Sequence, residues 1–112
     1  MNALKNKVQL IGNLGDIPEI TLLEGGKRKA SFTVATNESF KNAKGEKVTD
    51  TQWHKVVAWG KLAEIAEKYL AKGTEVAVEG KLMNSNYTDK QGIKRYVTEI
   101  QANELLILTK RS

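Results

Sequence analysis

The segment DTQWHKVVAWGKLAEIAEKYLAKG, residues 50–73, decides the fold, because its hydrophobic period changes halfway along. Thr51 to Gly60 reads as a strand. From Lys61 onward, Leu62, Ile65, Ala66, Tyr69 and Leu70 recur at helical spacing, and Gly73 is placed to terminate the helix. Alternation along the strand sends Trp53, Lys55, Val57 and Trp59 to one side and His54, Val56 and Ala58 to the other. Val56 and Ala58 suit an apolar interior. Two readings of the tryptophan side stand. Either the indoles are core and Lys55 carries its charge out to a rim, or the side is open, since lysine is almost never fully buried unless paired. An open side of this kind is a platform on which bases stack while cations meet phosphates, each stacked base contributing about 1–3 kcal/mol.

Upstream, KVQLIGNL (residues 7–14) alternates, with Val8, Leu10, Gly12 and Leu14 on one face. EITLLEGGKRKASFTVATNESF (residues 19–40) predicts a strand, a Gly25-Gly26 turn and a longer strand in which Ala30, Phe32 and Val34 share a face. KNAKGEKVTD (residues 41–50) has almost no apolar residue and predicts a long, exposed, mobile loop. Downstream, TEVAVEGKLMNSNY and KRYVTEIQANELLIL are two further strands separated by the turn TDKQG. The order predicts an all-β chain with one short helix: a five-stranded OB-fold barrel, the helix between strands 3 and 4. Gly12, Gly60 and Gly80 lie where such a barrel must bend or bulge.

The 112 residues suffice for one hydrophobic core. Eighteen Lys and Arg against 13 Asp and Glu leave a net charge of +5, which favours a polyanionic partner. Absence of cysteine excludes disulfides, thiolate catalysis and zinc-cysteine sites. One histidine without a supporting nucleophile is a poor active site. The acids are scattered and mostly adjoin lysines, unlike the clustered carboxylates of a metal-dependent nuclease. The expectation is therefore a non-enzymatic protein with no cofactor and no metal. No signal-peptide core begins the chain, and no apolar run approaches the roughly 18 residues of a membrane span. The expected location is cytoplasmic, without membrane contact.

NKVQLIGNLGDIPE, FTVATNESF, TQWHKVVAWGKLAEIAEKYLAKGTEVAVEGKL and YTDKQGIKRYVTE together resemble the bacterial single-stranded DNA-binding protein (SSB) family, collinearly from about Asn6 to Glu104. The resemblance implies the same OB barrel over residues 1–109, a homotetramer, and single-stranded DNA as partner, coated in replication, recombination and repair at the nucleoid. It maps the family's stacking aromatics onto Phe40, Trp53, Trp59 and Tyr87, and its phosphate-neutralising cations onto Lys55, Lys61 and Lys72. His54 falls at a subunit-interface position. Phe40 and Tyr87 stand where well-known members carry tryptophan, and Trp59 where phenylalanine is common. Met83, Ser85 and Asn86 replace frequent basic residues, so a less electrostatic interface is expected, partly offset by Lys81, Lys90 and Arg95. Family members usually end in an acidic tip that recruits replication and repair proteins. This chain ends in a short basic stretch, 110–112, so such partners are expected only if the native chain has that acidic tail. An RNA-directed module is the nearest rival, although the aromatic-glycine RNA-binding signature is missing. A structural OB-fold scaffold, the other alternative, requires Trp53 and Trp59 to be shielded.

Overall fold

The computed structural model describes residues 3–108, so the basic stretch at 110–112 lies outside the described residues. After a 3-10 turn (Ala3–Asn6) come β1 (Val8–Leu14), β2 (Glu19–Leu22), β3 (Arg28–Lys41), β4 (Lys47–Trp59), α1 (Lys61–Tyr69), β5 (Glu75–Thr88) and β6 (Lys94–Ile107). Hydrogen-bonded neighbours run β1-β5-β6-β4-β3-β2, and β1 also pairs with β3. Five strands therefore close into a barrel. β2 is a sixth strand joined to β3 alone, so α1 follows the fourth strand of the chain but the third of the barrel. β4 and β6 run parallel at Val56↔Ile100 and Val57↔Gln101, while the other pairings are antiparallel.

Closure depends on two close backbone crossings. β1 pairs with β5 as far as Asn13↔Glu75, then turns onto β3 at Asn13↔Ala35 and Leu14↔Val34. A side chain on Gly12 would run into the carbonyl oxygen of Ala35. On β5 the register with β6 shifts at Glu79/Gly80, and a side chain on Gly80 would meet the Gln101 carbonyl. Both positions match the bends expected of the barrel. Gly60 serves differently: with φ +60 it turns β4 into α1.

The inward side chains of alternate strand positions form the core: Ala30, Phe32 and Val34 from β3, Val56 and Ala58 from β4, Val76 and Val78 from β5, with Leu14, Ile100 and Ala102. α1 plugs one end with part of the expected face. Ala63, Ala66 and Leu70 are buried and Leu62 packs beside them, while Ile65 and Tyr69 are exposed. Two alanines let the nine-residue helix lie close to the barrel: Leu62, Ala66 and Leu70 fall on the buried stripe as expected, Ala63 joins them, and Ile65 and Tyr69 leave it. The helix ends at Tyr69, with extended backbone at Leu70. Gly73 (φ +87) belongs to the following turn and donates its N–H to the carbonyl of Leu14, 2.9 Å away.

The segment expected to be a long mobile loop is mostly strand. β3 and β4 stay in register out to Lys41↔Lys47, leaving only Asn42–Glu46 as the turn. Asn42 organises it: its Oδ1 accepts from the N–H groups of Lys44 (2.9 Å) and Glu46 (3.0 Å), and Gly45 takes φ +79. Both faces of this ribbon are largely exposed, so no hydrophobic alternation marks it in the sequence. β5 and β6 extend likewise as far as Thr88↔Lys94, with a turn where TDKQG predicted one. Two hairpin arms thus project from one barrel.

Gly80→Ala is expected to destabilise the barrel by about 1–3 kcal/mol through overpacking against β6. Urea unfolding at fixed protein concentration checks this, and an unchanged midpoint would show that β5 can move aside.

Candidate nucleic-acid interface

Because β4 alternates, the strand that supplies Val56 and Ala58 to the core must present Trp53, Lys55 and Trp59 on its other side. Trp53 is 61% exposed and Trp59 38%, which settles the choice between core and platform in favour of an open face. Val57, between them, is buried, as the strands beside β4 cover it.

Each indole has a defined support that the sequence reading missed. Trp53 rests against Gly15, where the chain leaves β1: a Cβ there would stand 2.5 Å from Trp53 Cζ3. Trp59 pairs across the ladder with Lys29, whose Nζ lies 5.7 Å from the ring centroid in a cation–π contact. The β3–β4 register, once laid out, identifies Lys29. Gly15, just past the first strand, carries no sequence signal that ties it to Trp53.

The cations are less free than their number suggests. Lys55 Nζ lies 3.1 Å from Glu99 Oε2 on β6, so its charge is already partnered. Arg95 Nε donates to Asp89 Oδ2 at 3.0 Å. Arg28 pairs with Glu67 at 3.3 Å and Glu64 at 3.7 Å. Lys61 begins α1 and lines an open groove of about 800 Å³ together with Gly25, Gly26, Trp59 and Gln101. Lys72 is exposed and precedes Gly73, which is tied to Leu14 beside the Gly15 that supports Trp53.

The four expected aromatics do not all share one surface. Tyr87 is 54% exposed and lies on the face of β5 that carries Met83, in register with Arg95 and two steps of alternation from Glu99 on β6. The Lys55–Glu99 pair joins that face to the tryptophan face. Phe40 is exposed too, but it pairs with Val48 in an uninterrupted ladder, which puts it on the opposite side of the β3–β4 ribbon from Trp53 and near the hairpin tip. His54 also lies away from the tryptophans, half-buried, with Nε2 3.0 Å from Thr36 Oγ1.

The arm bearing Tyr87 is held at its tip by Asp89. The N–H groups of Gln91 and Ile93 donate to its Oδ1 at 2.9 Å, and Arg95 donates to Oδ2. The bond from Ile93, then that from Arg95, stabilise the carboxylate and hold its pKa below the ordinary aspartate value of 3.8.

The model of the single-strand binding protein family matches residues 5–108. The chain is 47% identical over 107 residues to single-stranded DNA-binding protein 1 of Xylella fastidiosa (strain 9a5c), spanning 95% of this chain and 79% of that one. It is 45% identical over 104 residues to single-stranded DNA-binding protein 1 of Chlorobaculum tepidum, spanning 92% of this chain and 64% of its relative. Among solved structures, the Plasmodium falciparum SSB complex with ssDNA superposes with a TM-score of 0.83 at 34% identity, over 93% of this chain and 95% of that one.

A depressed folded pKa means that the stabilisation from Asp89 is present above the unfolded aspartate value and is lost as pH falls through the lower folded value. An NMR titration is expected to find the Asp89 carboxyl below 3.8, with the Gln91 and Ile93 amide shifts following the same titration. Titration at or above 3.8 would show that the turn bonds do not persist in solution.

Proposed function

Because this chain belongs to the single-strand binding protein family, a family of non-enzymatic DNA-binding proteins, we propose that it binds single-stranded DNA without sequence preference. It coats strands exposed during DNA replication, recombination and repair. The exposure of Trp53 and Trp59 on one barrel face, with Lys29 over Trp59, carries this reading. Flat rings beside cations suit unpaired bases, whose faces are open, and do not suit a duplex, whose bases are stacked inside. The same exposure counts against the scaffold reading, which needs both indoles shielded.

Bases stack on Trp53 and Trp59 on the barrel and on Tyr87 along the β5–β6 arm. Phe40, on the far side of the β3–β4 ribbon, is reached by a strand that passes round that arm. Phosphates meet Lys29, Lys61 and Lys72, and Lys55 once it is released from Glu99. Counterions leave as these contacts form, so affinity falls with salt. The action is stoichiometric: a coated strand cannot reanneal, fold into hairpins or enter a nuclease. The protein works in the cytoplasm at the nucleoid, as a homotetramer with His54 at an interface between subunits.

Titration with oligo(dT), with a duplex of equal length as control, is expected to quench tryptophan fluorescence with the single strand alone. Trp53→Ala should weaken binding by about 1–3 kcal/mol, the contribution of one stacked base. Full affinity in that variant would return Trp53 to a packing role. His54→Asp is expected to shift the mass in light scattering towards monomer on dilution, and an unchanged mass would remove His54 from the interface.

A further inference from the structure

The tryptophan face is basic and aromatic with one exception. Alternation sends the odd-numbered residues of β3 (29–41), β4 (47–59), the outer part of β5 (81–87) and β6 (95–101) outward, and Glu99 is the one carboxylate among them. It does not lie at the rim. Its side chain is only 24% exposed, in a groove of about 360 Å³ beside Val57, Trp59 and Met83. A carboxylate so placed needs a compensating charge, and Lys55 supplies it at 3.1 Å. Lys55 in turn lies between Trp53 and Trp59 on the same face, one step of alternation from Trp53, where a backbone following two stacked bases would bring a phosphate.

We infer that Glu99 is a built-in competitor for phosphate, an attenuating residue that holds Lys55 and withholds its charge from the bound strand. This rests on the single-stranded DNA reading above. A phosphate reaching Lys55 must displace a carboxylate already in contact with it, and leaves that carboxylate unpaired beside a polyanion. The two anions repel one another while sharing one ammonium. The centre of the face therefore contributes stacking with little net charge, and the strand is held there by rings more than by phosphates. The consequence is a strand that stays exchangeable: it can shift along the face without breaking a strong ion pair at every step. Glu99 acts through Lys55, so it is a positioning residue for the interface.

The test compares the wild type with Glu99→Gln and with Glu99→Gln combined with Lys55→Gln, each titrated with oligo(dT) across a salt series. Glu99→Gln keeps the shape and frees the ammonium. It is expected to bind about three- to tenfold more tightly near 50 mM salt, and its log affinity against log salt should steepen by about 0.7, the value of one additional single-strand phosphate contact. Adding Lys55→Gln should abolish that steepening. A purely structural Glu99 would change the melting temperature and leave the salt slope alone. An unchanged or shallower slope in Glu99→Gln overturns the inference, as does a steepening that survives Lys55→Gln. Should Glu99→Gln fail to fold by circular dichroism, Glu99→Asp draws the carboxylate back by one methylene. It is then expected to steepen the slope partially, and no change would overturn the inference equally. Loss of all binding in the wild type would instead refute the function proposed above.

Discussion

Extended backbone sends successive side chains to opposite sides, and in β4 that constraint couples the core to the exposed tryptophan face. Val56 and Ala58 are fully buried because the barrel closes over them, so Lys55, Val57 and Trp59 must point away from it. A one-residue slip of β4 would bury Lys55 and Trp59 and expose Val56 and Ala58. The glycine crossings maintain that arrangement from a distance. Without the close approach of Gly12 to β3 and of Gly80 to β6, the sheet would have open edges, and the faces of β4 would lose their difference in solvent access.

The face is organised chiefly by contacts made before any ligand arrives. Gly15 fixes the edge of Trp53, Lys29 caps Trp59, and Glu99 fixes Lys55. Side chains already held in place lose less conformational freedom on binding. The cost is electrostatic. Lys55 and Arg95 are already partnered by acids, so fewer of the face's cations are free than its basic residues suggest. On the β5–β6 arm Met83, Ser85 and Asn86 carry no charge, and the guanidinium of Arg95 is committed to Asp89. The centre of this surface exposes the rings of Trp53 and Trp59 beside a lysine that is already paired.

Much of the architecture was legible because it rests on local period. The alternation in β1 and β3, the change to helical period after Gly60 and the Gly92-containing turn each leave a short-range mark. Where two faces are equally wet, that mark is absent. The outer halves of β3 and β4 looked like a loop because their pairing is carried by backbone hydrogen bonds, to which the side chains contribute little pattern. The buried stripe of α1 was legible at Leu62, Ala66 and Leu70 but not at its edges, for a related reason. Ala63 and Ala66 are chosen for close approach to the barrel, and hydrophobicity alone does not distinguish a small buried residue from a larger exposed one.

The sequence by itself determined the barrel order and the division of β4 into an apolar and an aromatic-basic side. Both follow from neighbours within one strand or one helix. Only the tertiary structure decided that the tryptophans are open, that Phe40 and Trp53 occupy opposite sides of one ribbon, and that Lys55 meets Glu99 44 positions later in the chain. Those outcomes depend on which strands lie side by side and in what register. Register is fixed by closure of the whole barrel, a long-range condition that no single stretch of residues carries.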